Sequence, residues 1–266
     1  MRDHAFITDT TPTPEGFARF LAFIGVDEVV SQTPVTWWVQ STQAPPQDSA
    51  PLVMKREGFG DVSAPAPALQ VSPEVSFDTL AALRGALETL KDCALRQTAT
   101  QMVFGEGPLN PDIMVIGEAP GNEEDQSGRP FVGDAGKMFN QMLAAAGYPR
   151  EHCYITNIIP WRPPGNRAPT PHEVAQMLPF LRAHIRLVAP KSVVLLGGVV
   201  AKAVLKSDTG IMRLRGKIYP LEGTNILAVP TFHPAYLLGS PLQKQQAWED
   251  LLRLKERLGG GGDRGV

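Results

Sequence analysis

Beyond residue 76 the chain alternates brief apolar runs with longer stretches in which apolar side chains return every three or four positions. Four of the runs, 112–117 (DIMVIG), 153–159 (CYITNII), 191–197 (KSVVLLG) and 225–231 (NILAVPT), are short and rich in β-branched residues. That is the pattern of strands buried on both faces. Helical spacing fits the intervals: 78–91 through Leu80, Leu83, Leu87 and Leu90, then 133–146, 170–188, 198–206 and 242–258. The third of these opens on Thr170-Pro171-His172-Glu173, a capping box with proline in the first turn. Strand and helix in alternation predict an α/β fold, a three-layer α/β/α sandwich around a central four-stranded parallel sheet.

Residues 1–75 read differently. Thr13-Pro14-Glu15 caps a short amphipathic stretch (Phe17, Phe20, Leu21, Ile24), a Trp37-Trp38 pair follows, and 44–75 is rich in Pro, Ala and Ser without a period. This region is expected to be an appendage and linker before a domain at 76–258, with 259–266 as a loose tail.

Composition narrows the classes. With 43% hydrophobic residues in 266, the chain can bury a core. It contains no apolar run of about 18 residues and no basic-then-apolar start, so it reads as cytoplasmic. Its two cysteines, Cys93 and Cys153, make neither a disulfide framework nor a four-cysteine metal site. The net charge of −2 argues against indiscriminate coating of nucleic acid. Yet residues 126–217 carry 13 basic and 4 acidic side chains, a local excess that can attract phosphate.

In an open parallel sheet the binding crevice lies beyond the carboxyl ends of the strands. The first predicted strand runs into Gly117-Glu118-Ala119-Pro120-Gly121, the second ends at Thr156-Asn157, and the fourth runs into Thr231-Phe232-His233-Pro234. A glutamate, an amide and an imidazole therefore meet at one edge, a set suited to acid, base or recognition work.

Those segments also carry a resemblance. GEAPGNEEDQSGRPFVGDAG (117–136), TNIIPWRPPGNRAPTPHE (156–173), TFHPAYLL (231–238) and VFGEG (103–107) together resemble the uracil-DNA glycosylase superfamily, closest to its family-four type, over roughly 76–258. The resemblance implies a DNA-repair glycosylase, probing single- or double-stranded uracil-containing DNA as a monomer and leaving an abasic site. Family-four enzymes hold a four-iron cluster on four cysteines, and the corresponding positions here are Leu90, Cys93, Trp161 and Met177. A single thiol cannot hold four irons, so no cofactor is expected.

The resemblance also implies roles. A base inside a duplex must be extruded to be read. Asn157 resembles the amide that reads uracil, and Phe131 the ring that stacks on it. Gly117 and Gly121 line the same pocket. His233 resembles the imidazole that stabilises the departing base, while Glu118, Glu124 and Asp125 are candidates for orienting water and stabilising the sugar cation. Family-one enzymes have an aspartate at Ala119 and a thymine-excluding tyrosine at Gly121, so those functions must be met otherwise. For DNA contacts, Arg162, Asn166, Arg167, Arg213, Arg215, Lys217 and the helix start at Gly198 are expected at phosphates. Tyr236, Leu237 and Leu238 are candidate wedges.

Other readings stay open on the sequence alone: a glycosylase for hypoxanthine or xanthine, or a non-catalytic binder of uracil-containing DNA. The basic insert of the covalently trapping branch is missing between Asn157 and Glu173, and no Walker or dinucleotide fingerprint occurs.

Overall fold

A computed structural model describes residues 76–91 and 93–259. The expected helix near residue 13, the Trp37-Trp38 pair, the 44–75 linker and nearly all of the tail lie outside the described residues.

All four predicted strands form, each slightly shorter than its apolar run: β1 (Ile113–Gly117), β2 (Tyr154–Asn157), β3 (Ser192–Leu196) and a last strand, Leu227–Thr231. A fifth strand was not foreseen. The pair Tyr219–Pro220 is β4, making Leu227–Thr231 β5, and the order across the sheet is β2-β1-β3-β5-β4. The first four are parallel; β4 lies antiparallel on the edge of β5, with Tyr219 opposite Ala228. The sheet is thus mixed and five-stranded rather than purely parallel and four-stranded. Two residues, one a proline that cannot donate to a ladder, leave no periodic signal, and an edge is where such a strand is tolerated.

Alternation along the strands sends side chains into two cores. Met114 and Ile116 of β1 join Val193 and Leu195 of β3 on one face, whereas Ile113 and Val115 join Val194 and Leu196 on the other. The first face is covered by α1 (Leu80–Glu88), α2 (Ala94–Thr98), α5 (Pro171–Val188) and α6 (Gly198–Leu205). Across the sheet lie α4 (Asp134–Ala145), α8 (Pro234–Leu238) and α9 (Pro241–Gly259). The three-layer sandwich follows. Short α3 (Asn122–Ser127) and α7 (Ile211–Leu214) complete the set, and no described helix is long and apolar enough to cross a membrane.

The capping box read from the sequence is in place. Thr170 accepts from the Glu173 N–H, and Glu173 accepts from the Thr170 N–H.

Candidate active site

Strand register brings the chemistry together. Gly117 closes β1 opposite Asn157 at the end of β2, while Thr231 at the end of β5 lies opposite Leu196 of β3. The loops that follow these strands all leave from the same edge.

At that edge two side chains crowd one glycine. A Cβ on Gly117 would lie 2.3 Å from Asn157 Oδ1 and 2.4 Å from Phe131 Cζ. The Phe131 and His233 ring centroids are 6.4 Å apart. Asn157 is 5% exposed, and its Oδ1 is buried with no hydrogen-bond donor among the described residues. A buried acceptor in that state costs about 1–3 kcal/mol, so a strand end that keeps one is poised for a ligand donor.

His233 has a defined protonation state. Burial pushes its pKa below the ordinary value of 6.5, so the ring is neutral at pH 7. Its Nδ1 accepts from the Ala235 N–H at 3.2 Å, which puts the ring proton on Nε2. The imidazole is therefore a neutral donor.

The three carboxylates separate. Glu118 is half-buried, makes no hydrogen bond or ion pair through its carboxylate to the described residues, and has its pKa raised by burial. Glu124 is fully engaged by backbone: Oε1 accepts from Val132 N and Gly133 N, both at 2.9 Å, and Oε2 from Gly121 N at 3.0 Å. Asp125 is likewise bound, to Thr100 N at 2.9 Å and the Thr100 hydroxyl at 2.8 Å. These bonds tie the Glu124 and Asp125 carboxylates to the backbone of neighbouring loops, and so shape the segment after β1. Gly121 caps α3 against Glu124.

The cations expected at DNA also divide. Arg213 and Lys217 are exposed and form no ion pair with the described residues. Arg213 lies within α7 and Lys217 just beyond its end, and Ile211 of the same helix packs beside Gly198 at the start of α6. Arg167 is instead bound by both oxygens of Glu173, at 2.8 and 2.6 Å. Arg215 grips Asp250 through two nitrogens, at 3.1 and 2.9 Å, and lies over the Phe232 ring. Its charge is paired inside the protein. Arg162 donates to Asn166 at 2.6 Å and to Asn122 at 2.9 Å, tying the turn after β2 to α3. Of the candidate wedges, Tyr236 and Leu238 are exposed, whereas Leu237 is fully buried in the core and cannot enter a base stack.

The residues at the four cluster positions do not fit an iron–sulfur group. Cys93, Trp161 and Met177 are buried in one apolar core, with Leu90 packed against it. One thiol, a thioether, an indole and an isobutyl group cannot ligate four irons. Cys153 sits in the opposite core, where burial pushes its thiol up to about 12.

Sequence reasoning missed Arg150 and Asn140, which bind the backbone around Phe131, Glu106, whose carboxylate anchors Arg150, and Asp250, which accepts from the Thr231 hydroxyl at 2.8 Å. No local pattern could have found them, because every one acts on a segment far away in the chain.

A largely parallel sheet whose carboxyl edge carries a buried amide, an aromatic ring and an imidazole defines an α/β protein with its candidate chemistry at the strand ends. The family model of the uracil DNA glycosylase superfamily matches residues 104–252, and the chain belongs to that superfamily. It is 37% identical over 175 residues to a Type-4 uracil-DNA glycosylase of Archaeoglobus fulgidus, a match covering 64% of this chain and 88% of that protein. Against the Type-4 uracil-DNA glycosylase of Thermotoga maritima the identity is 43% over 148 residues, 55% and 76% of the two chains. A Type-5 uracil-DNA glycosylase of Pyrobaculum aerophilum is 31% identical over 148 residues, 49% of this chain and 64% of that one.

Proposed function

We propose that this protein is a monofunctional uracil-DNA glycosylase, which extrudes uracil from single- or double-stranded DNA and hydrolyses its N-glycosidic bond, leaving an abasic site. The observation that carries the reading is the unpartnered, buried Oδ1 of Asn157 beside the Phe131 ring and the donor imidazole of His233. Uracil presents an N3–H donor and an O4 acceptor on one edge. Asn157 accepts the first through Oδ1 and donates to the second through Nδ2. Cytosine inverts both groups and would leave the buried amide facing the wrong partners, at a cost of about 1–3 kcal/mol for each.

Phe131 stacks on the extruded ring, which gives affinity but little base identity. As the C1′–N1 bond breaks, the electron pair leaves with uracil and positive charge grows on the sugar. His233 donates from Nε2 to uracil O2 and stabilises the departing anion. Glu118, the one carboxylate of the three not engaged by the described residues, stabilises the sugar cation and orients the water that adds to C1′. Arg213, Lys217 and the α6 start at Gly198 bind phosphates, and Tyr236 or Leu238 fills the gap in the stack. The protein works as a monomer and without an iron–sulfur cluster, since apolar side chains occupy the cluster positions. Residues 76–258 form the catalytic domain and 1–75 an appendage to it.

The test is incubation of pure protein with single- and double-stranded uracil oligonucleotides, then alkali to cleave abasic sites. Strand breaks at uracil are expected, strongly slowed in Asn157→Ala and His233→Ala with the fold intact. Wild-type protein that yields no breaks on either substrate would refute the reading, and brown protein with stoichiometric iron would refute its cofactor-free part.

A further inference from the structure

Phe131 occupies a backbone conformation that its own side chain disfavours. Its φ is 53°, in the left-handed region that bulky residues avoid. The surroundings must therefore hold it there, and the bonds that do so converge on one residue.

Arg150, on the 3-10 turn Arg150–His152 before β2, donates from Nη1 to the Phe131 carbonyl at 3.2 Å and from Nη2 to the Pro130 carbonyl at 2.5 Å. Its Nη1 also bonds Asn140 Oδ1 at 3.0 Å, and Asn140 Nδ2 donates in turn to the Phe131 carbonyl at 3.3 Å. The guanidinium is itself anchored. Glu106 Oε1 accepts from Arg150 Nη2 at 2.6 Å, while Arg129 grips both oxygens of the same carboxylate at 2.9 and 3.0 Å. On the amide side of the same bend, Glu124 holds the Val132 and Gly133 N–H groups. Close beside it runs Gly136, where a Cβ would come within 2.3 Å of the Phe131 carbonyl carbon and oxygen.

We propose that Arg150 is a positioning residue for base recognition: its forked donors pin the carbonyls of Pro130 and Phe131, fixing the strained bend that aims the Phe131 ring at Gly117 and Asn157. The proposal rests on Phe131 being the base-stacking ring of the proposed glycosylase. A planar guanidinium spans both carbonyls and the Glu106 carboxylate at once, which one ammonium group cannot do.

The experiment is a double-mutant cycle with uracil-containing DNA under single-turnover conditions, comparing Arg150→Ala, Phe131→Ala and the double variant. Loss of a stacked base contact is expected to slow excision about tenfold or more in Phe131→Ala. Arg150→Ala should show a loss of similar size, and the double variant should be no slower than Phe131→Ala alone. Losses that multiply would overturn the proposal, because a residue that acted elsewhere, or merely stabilised the fold, would slow both backgrounds equally. Should Arg150→Ala not fold, Arg150→Lys, which keeps the charge but not the fork, takes its place in the cycle. Hydrogen exchange of the Val132 and Gly133 amides reads the clamp without any substrate. Faster exchange there, with the β1 and β3 amides unchanged, is expected in either Arg150 variant; unchanged exchange defeats the proposal even if the wild type proves inactive on uracil.

Discussion

Gly117→Ala is the most direct probe of how tightly the recess is built. The added methyl carbon would sit 2.3 Å from Asn157 Oδ1 and 2.4 and 2.9 Å from Phe131 Cζ and Cε2, where ordinary contacts begin near 3.4 Å. The amide and the ring must each retreat by about 1 Å, a displacement from which an active site typically loses about a hundredfold in rate. Neither has an easy retreat. Asn157 is 5% exposed at a strand end paired to Gly117, and Phe131 is 7% exposed with its backbone held on both sides. Overpacking of this kind costs about 1–3 kcal/mol, a loss visible in a melting curve without abolishing the fold. Gly85→Ala is the matched control, since a Cβ there meets nothing within 4 Å and helix α1 gains about 0.5–1 kcal/mol in propensity. Single-turnover excision and thermal melting of both variants make the assay. Gly117→Ala should fall by about a hundredfold with a modest loss of stability, while Gly85→Ala keeps full activity. A Gly117→Ala enzyme with wild-type rate would mean that the glycine, the amide and the ring do not share one slot.

Excision should fail on the acid side, because His233 must be neutral and Glu118 ionised. Burial puts the first below 6.5 and the second above 4.5, so the rate holds at neutral pH and drops as acid protonates either group. A Glu118→Gln variant with the wild-type rate and profile would remove Glu118 from the mechanism. His184 makes a separate prediction about stability. It is buried against Phe104 and bonded to Tyr154, and burial lowers its pKa from 6.5 to about 4. Because the unfolded chain binds this proton more readily, its neutral form supports the fold fully above pH 6.5, and that support is lost progressively as pH falls toward 4. The loss amounts to about 3 kcal/mol, read from denaturant midpoints, and His184→Gln should flatten the dependence. Arg215→Met strands the buried Asp250 carboxylate and should cost about 3–5 kcal/mol, whereas Arg215→Met with Asp250→Leu should cost less; equal losses would refute a buried pair. By contrast, Arg213→Ala and Lys217→Ala should leave stability alone and each reduce the salt dependence of DNA binding by about one unit of slope.

The sheet was legible because its strands are buried on both faces and so appear as unbroken apolar runs. The layers followed from helical spacing between them. Two of the elements that escaped are held by something other than their own hydrophobic pattern. α3 is NEEDQS, wholly polar, and it is fixed by the Glu124 cap and the Asp125 bonds to Thr100. β4 exists only as an edge on β5. In the site, Asn157 and His233 could be placed by the rule that strand ends carry function, and Phe131 by its resemblance to a known motif. Glu118 and Glu124 could not be told apart as letters. They lie six positions apart, and the difference is that three backbone N–H groups reach the second and none the first.

The basic excess of 126–217 shows how far a charge count departs from a charge surface. Arg129 and Arg150 face Glu106, Lys137 faces Asp134, Arg167 faces Glu173, Lys191 faces Asp112, Lys206 faces Glu222 and Arg215 faces Asp250. Most of these acids lie outside the basic stretch, so the segregation seen along the chain is partly cancelled once the chain folds. The pairs also do unequal work. Lys137 and Lys191 are exposed partners of little energetic consequence, whereas those of Arg150 and Arg215 are partly buried and sit against the Phe131 bend and the Phe232-His233 turn. Two cations of the basic stretch, one of them the Arg215 expected at DNA, are thus engaged inside the protein beside the candidate site. In the proposed glycosylase, attraction of phosphate falls to exposed groups such as Arg213 and Lys217 and support of the base-stacking ring to Arg150, so substitutions at the two sets should separate the excision rate from the salt dependence of binding.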